Sequence, residues 1–401
     1  MFVAVRDRIV EQQHGFFPGR STVTNLLTFT EYIFEAFDKR EQVDSISTDF
    51  AKAFDRVDHV VLYKKLSLYF HGSLLRWLVS YLRNRSQLVV INGCKSSGIS
   101  VSSGVPQGSH LGPLLFLLFI NDIGCKVQTA KLLIYADDVK IYCRVRTVED
   151  CESLQEDLTT IEQWCVHNKL HLNLNKCATI TFSRKPSNID FDYKLGDHTL
   201  ERLSVIGDLG VALDRQLSFT NHISKIVKQS YQMIGFIRRV TSEFTNKITL
   251  KHLYVSLVRS KLEYASPVWS PSYRKYTSSI ERVQNKFLRY LRFQNLEISL
   301  PSLKSRRCLL DSMFLYKLAN NRMSCPVLVS KLDYHVPSTL MLRQTYLFHI
   351  SFSATNYRNN SPIRRLTRYY NYLSEQDGSI DINFDGPTTF RNKISKIIFN
   401  I

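Results

Sequence analysis

No two of the eight cysteines form a CxxC pair, and their scatter from Cys94 to Cys325 matches neither a disulfide framework nor a zinc-finger spacing. Reduced, inert thiols in a reducing compartment are expected. The nearest approach to a metal cluster is Cys165, His167, His171 and Cys177, but Cys165 continues a helical apolar stripe and reads as core. Long apolar runs are missing as well. The longest, Leu111 to Ile120, is about half the roughly 20 residues a membrane helix needs and stops at Asn121 and Asp122, so no span is expected. The opening MFVAVRDRIV carries Arg6, Asp7 and Arg8 where a secretory signal has its apolar centre, and an intracellular site is expected. Acid is scarce: 35 Asp and Glu stand against 53 Lys and Arg, a formal net charge of +18 that attracts polyanions such as nucleic acid. No internal repeat or low-complexity tract occurs. What is present is 44% hydrophobic and 12% aromatic residues over 401 positions, enough for two or three domains with real cores.

Periodicity gives the organisation. QVDSISTDF reads as a short strand ending at Asp49, and an amphipathic helix starts near Asp58 with Val61, Leu62, Leu66 and Tyr69 on its apolar face. Ser73 can cap a second helix, LLRWLVSYLRNR, and QLVVING with GISVSSG reads as a hairpin around Gly93. A Gly and Pro loop, GVPQGSHLG at 104–112, leads into a short buried helix. LLIYADDVKIY, at 132–142, places two β-prone runs around an Ala-Asp-Asp tip. Thr147 and Asp150 resemble a capping box, and Cys151, Leu154, Leu158, Ile161 and Cys165 recur at three and four, the stripe of a helix packed on a sheet. CATITFS is the next strand. The order describes an α+β layer with helices on one face of an antiparallel sheet. Lys185, Pro186 and Ser187 form an expected linker, so the expected domains are 1–184, 185–295 and 296–401, the second with a β segment followed by helices. Between Lys225 and Arg292 there are fourteen Lys and Arg against three Glu. In SSIERVQNKFLRYLR, Arg282, Lys286 and Arg289 share one helix face opposite Ile280, Val283 and Phe287; the pattern fits a solvated face as well as a phosphate-tracking one.

Adjacent acids at a hairpin tip have an ordinary explanation, because Asp is a favoured turn residue and would be solvated there. Asp49 changes the comparison. It stands at the end of what should be a neighbouring strand, and three converging acids would raise one another's pKa unless cations neutralised them. Hard divalent ions with oxygen ligands suit that need, and two such ions serve nucleotidyl transfer.

QHGFFPGRSTVTNLL, STDFAKAFDRVDH, SSGVPQGSHLGPLLFLLFINDI, IYADD, LQEDLTTIEQWCVHNKLHLNLNKC and LGVALDRQLSF occur in that order. Together they resemble the successive motifs of a non-LTR (LINE, jockey-like) retrotransposon reverse transcriptase over roughly residues 11 to 225. EYASPVWSP and IERVQNKFLRYL resemble, less diagnostically, the region downstream of the polymerase in such elements. The resemblance implies a right-hand polymerase palm with partial fingers, then a mainly helical thumb and carboxyl-terminal region. It implies RNA-directed DNA polymerase activity on an RNA template, a DNA primer and dNTPs, with two Mg2+ ions, for which Mn2+ is a substitute, and a nuclear site. No membrane partner is implied.

Carried over residue by residue, Asp49, Asp137 and Asp138 match the metal-binding triad, and the Phe50 carbonyl matches an added ligand. Phe54 falls where such enzymes place a ring beneath the sugar; an ordinary core Phe is the alternative. Gln107 matches a residue of the nucleotide pocket. Lys176 matches a Lys that assists pyrophosphate release, with a solvated surface Lys as its alternative, and Arg20 is a candidate contact to template or triphosphate. The endonuclease and first finger motifs of such elements are not found ahead of QHGFF, so a 5′-truncated element is expected, with a separate chain as the source of endonuclease or fingers. The alternative is a truncated or domesticated remnant that binds RNA or RNA–DNA duplex without polymerising; a palm-like nucleotidyl cyclase is a remoter class, because it has no use for GVPQG or a helical thumb.

Overall fold

The computed structural model describes residues 1–244, 246–293, 298–336, 346–353 and 355–400. The chain divides into two compact units, one of residues 1–21 and 41–203, the other of 22–40 and 204–401.

The first unit is built on a five-stranded sheet. Strand β1, Gln42–Thr48, forms from a run with three β-branched residues and is buried almost throughout. Lys131–Tyr135 is β2, Asp138–Val145 is β3, Ala178–Phe182 is β4 and Glu201–Arg202 is β5, in the spatial order β5-β4-β1-β3-β2. All pairs are antiparallel except β5 with β4. The Val148–His167 helix lays its stripe, Cys151, Leu154, Leu158, Ile161 and Cys165, into one core with Ile46 of β1 and Ile141 of β3. Asp150 accepts from the Thr147 amide at 3.1 Å and starts that helix where the sequence places its cap. The Leu111–Ile120 helix is buried in the same core.

Two local expectations meet different outcomes. Asp58 caps the His59–Leu66 helix, accepting from the amides of Val60 and Val61 at 2.9 Å each. Ser73 does not cap: the helix is Gly72–Leu82, and Gly72, at φ +61°, turns the chain into it one residue earlier. The chain does not leave the sheet at Lys185. Tyr193, Leu195 and Leu200 return to the core, and β5 pairs with Ala178 and Thr179, so the first unit runs to Leu203. Tyr193 donates to Asp44 Oδ2 at 2.9 Å in the fully buried middle of β1.

The second unit is mainly helical. Its Thr22–Asp38 helix buries Leu26, Leu27, Phe29, Ile33 and Phe37 within that unit. Buried Glu31 accepts from the Ile363 amide at 2.7 Å, which ties the helix to Pro362–Gln376. In the Arg274–Phe293 helix, Ile280, Val283 and Phe287 have no exposure while Arg282, Lys286 and Arg289 are exposed, the split its sequence predicts. Helices recur among the described residues beyond 297, with Leu303–Ala319 and Pro387–Phe399 stacked through Tyr316 and Phe390 at 4.8 Å. Among the described residues, no helix is long and apolar enough to cross a membrane.

Candidate active site

Antiparallel pairing puts the end of β1 beside the start of β3. Thr48 is paired with Val139, so Asp49, the next residue of the chain, comes level with Asp138. β2 and β3 are joined by a two-residue turn, Ala136 and Asp137, closed by the Tyr135–Asp138 pair. The two adjacent acids therefore have different places. Asp138 opens a strand and is exposed; Asp137 sits in the turn and is partly buried.

Asp137 carries the electrostatic signature of the site. Its carboxyl is pushed above the usual range first by desolvation, then by the negative charge of Asp49, with Lys176 opposing. Lys176 reaches this point because its loop is stitched to the end of β1. The Ala51 amide donates to His171 O at 2.8 Å, and the Asn173 amide donates to Asp49 O at 2.7 Å. Lys176 Nζ then lies 3.2 Å from Asp49 Oδ2. Phe50, between these bonds, is buried and bridged to Leu172.

The turn is held from a direction that sequence reasoning missed. The QHG segment runs beside β2: the His14 amide donates to Ile134 O at 2.8 Å, and the Ile134 amide donates to Gln12 O at 2.9 Å. Gln13 Oε1 accepts from the amides of Gly15, at 2.7 Å, and Ala136, at 3.0 Å, so one side chain fixes both segments. Ala136 has φ +57°, a conformation that needs such support in a non-glycine residue. A Cβ on Gly15 would lie 2.3 Å from the Ala136 nitrogen, a distance real atoms do not reach. The signal was in the motif string, but nothing in its composition says that its Gln grips a turn more than a hundred residues away. Arg20 belongs to this bracing: its Nη1 donates to Val10 O at 3.0 Å and Gln13 O at 2.7 Å, and its guanidinium lies 3.8 Å from the Phe17 ring centroid.

Phe54 and Gln107 are brought together by two loops. Val105 N donates to Phe54 O and Gly104 N to Val57 O, each at 2.8 Å. Gly104, at φ +85°, lets the backbones touch, since a Cβ there would be 2.8 Å from Asp55 O. The Phe54 ring is fixed by stacking on Phe116, centroids 4.2 Å apart, and by the edge of Phe16 at 6.0 Å. Gln107 Nε2 donates to Asp55 Oδ1 at 2.7 Å. Both loops open on a cleft of about 660 Å3 lined by Lys52, Asp55, His59, Arg85 and Gln107.

A desolvated carboxylate facing a second one is short of positive charge, and Lys176 supplies only part of it. Oxygen-ligated divalent cations fit this donor set. Among the described residues, no three His, Cys, Asp or Glu side chains already stand close enough to hold an ion, so the carboxylates would have to draw together on binding.

His14 gives a pH test of the bracing segment. Burial, reinforced by the charges of Arg20 and Lys140, lowers its pKa from 6.5 to about 3. Folded protein keeps the ring neutral while unfolded chain protonates it, so its contribution to stability is complete above pH 6.5 and is lost as pH falls towards 3. Denaturant midpoints measured across that window should fall with acid in the parent, and more shallowly in His14→Gln. Equal slopes would remove His14 from the account.

Residues 3–237 match the reverse transcriptase (RNA-dependent DNA polymerase) family, and the chain belongs to that family. It is 31% identical over 291 residues to a probable RNA-directed DNA polymerase from transposon BS of Drosophila melanogaster, covering 70% of this chain and 32% of that one. With the RNA-directed DNA polymerase from mobile element jockey of Drosophila funebris, identity is 31% over 310 residues, covering 72% of this chain and 33% of the relative. The chain thus spans about a third of the length of these relatives. Among solved structures, a telomerase from Candida tropicalis in complex with a fragment of telomeric RNA aligns at TM-score 0.42 and 10% identity, covering 99% of this chain and 55% of that one.

Proposed function

We propose that the first unit is the catalytic palm of a non-LTR retrotransposon RNA-directed DNA polymerase, which joins deoxynucleotides to a primer 3′-hydroxyl along an RNA template. The observation that carries the reading is the register that sets Asp49, at the end of β1, level with Asp138 at the start of β3 and beside the turn that holds Asp137, whose carboxyl is raised first by burial and then by the charge of Asp49. Two Mg2+ ions, or Mn2+ in their place, held by Asp49 and Asp137 with Asp138 and the Phe50 carbonyl, would supply the positive charge that the attacking hydroxyl and the leaving pyrophosphate require. Lys176, already paired with Asp49, places an ammonium where phosphate charge would collect. Gln107 borders the incoming-nucleotide cleft. Arg282, Lys286 and Arg289, exposed on their helix, suit contact with a nucleic-acid backbone.

The test is primer extension on an RNA template with purified chain and magnesium. Template-dependent incorporation that vanishes without magnesium supports the reading. Tight RNA binding with no incorporation under any divalent ion would leave the non-polymerising remnant.

Phe54 gives a test of substrate choice. Its stacked ring cannot yield readily, so it would clash with a ribose 2′-hydroxyl carried by the nucleotide. Phe54→Ala should raise ribonucleotide incorporation relative to deoxyribonucleotide by about ten- to a hundredfold, the scale of a few kcal/mol of relieved contact. An unchanged ratio in single-nucleotide extension assays would mark Phe54 as core.

A further inference from the structure

From His59 to Asn121 the chain contains six Lys and Arg and not one Asp or Glu. Few acids are therefore available locally to neutralise this stretch, and one of its bases, Lys65, is taken up by Asp122 at 2.7 Å. On the Gly72–Leu82 helix, Trp77 and Tyr81, four residues apart, stack with ring centroids 6.0 Å apart and planes 24° apart. Trp77 is 48% exposed and Tyr63 46%. Beside them Tyr63, Arg76, Ser80, Arg83 and Asn84 line an open depression of about 570 Å3. Arg85 joins this surface to the cleft of the candidate active site: its guanidinium lies 5.4 Å from the Tyr81 centroid, and it also lines the cleft that holds Lys52 and Gln107.

An ordinary solvated helix face explains arginines. It does not explain a large indole left half in water and stacked on a second ring that itself lies under the guanidinium of Arg85. We propose that Trp77, Tyr81, Arg76, Arg83 and Arg85 form a platform for single-stranded nucleic acid, on which bases stack while the arginines follow the phosphates towards the cleft. Unpaired bases present π-faces and a polyanionic backbone together, whereas a duplex hides the faces inside its stack. The assignment of direction towards the cleft rests on the polymerase reading; the binding itself does not.

Trp77 also provides the readout. The other two tryptophans, Trp164 and Trp269, are 4% and 1% exposed, so quenching by an added ligand reports on Trp77. Short oligouridylate and oligothymidylate should each quench the full-length protein at low salt without magnesium or dNTP, and equally in Asp137→Asn. A preference for oligouridylate would identify a template strand, and equal binding a sugar-blind single-strand surface; either supports the platform. Trp77→Ala, read by anisotropy of a labelled oligomer, should weaken binding about tenfold for one lost stacking contact. Arg76→Gln with Arg83→Gln should reduce the log–log salt slope by roughly 0.7 for each phosphate contact removed. Absent quenching, an RNA duplex that quenches as well as the single strand, or unaltered affinity and slope in the variants would overturn the proposal. Absence of extension by the parent protein with quenching intact would instead count against the polymerase reading.

Discussion

Asp137→Asn and Asp49→Asn should each reduce primer extension about a thousandfold or to background, while RNA affinity changes little. Asp49 at the strand end and Asp137 in the turn feel one another's charge, with Lys176 as their nearby cation. Neutralising either leaves the remaining groups unable to gather positive charge around the reacting phosphate, and removal of a single preorganised electrostatic group commonly costs about 10² to 10³ in rate. Asn is nearly isosteric with Asp, and Asp137→Asn removes a charge that burial and Asp49 already disfavour, so folding should be unharmed. Single-turnover extension and filter binding, run side by side, separate the two effects. Residual extension equal to the parent's in either variant would sink the catalytic assignment.

Gly15→Ala should do comparable damage without touching a carboxylate. The new methyl would fall 2.3 Å from the Ala136 nitrogen, and the atoms it meets are backbone, which cannot swing aside as a side chain does. Either the QHG segment lifts off β2 or the Ala136–Asp137 turn moves. Both outcomes release the Gln13 grip on two amides. Overpacking of this kind costs about 1–3 kcal/mol in stability, and a turn displaced by an ångström can lower the rate about a hundredfold. Gly207→Ala is the matched control, since nothing lies within 4 Å of the Cβ it would add. Thermal midpoints and extension rates should fall together in the first variant and in neither measure for the second. Parent-like extension in Gly15→Ala would mean that the turn does not need this brace.

The sequence was most readable where one local pattern fixes the outcome. The stripe from Cys151 to Cys165 became a buried helix face, because spacing at three and four needs no knowledge of the partner surface. Asp49 and the Asp137–Asp138 pair were legible as strand-end acids, and register then brought them level. Register is set by pairing and not by composition, however, so the distinct positions of Asp137 and Asp138 appear only once β2 and β3 are paired. The Gln13 grip was illegible for the same reason: it joins residues far apart through one side-chain oxygen. Lys185, Pro186 and Ser187 have the composition of a linker, but the apolar Tyr193, Leu195 and Leu200 downstream outweigh it and draw the chain back to the sheet.

The Thr22–Asp38 helix belongs to the second unit although residues on both sides of it belong to the first. During synthesis it therefore emerges well ahead of the Ser266–Trp269 and Pro362–Gln376 helices that cover it. At ribosomal speeds of about 5–20 residues per second, the first of those partners follows after roughly ten to fifty seconds. Throughout that interval the helix carrying Leu26, Leu27, Phe29, Ile33 and Phe37 lacks these two covering partners. A nascent chain so arranged offers chaperones a client segment, and no single cut between residues would separate the two units without orphaning this helix.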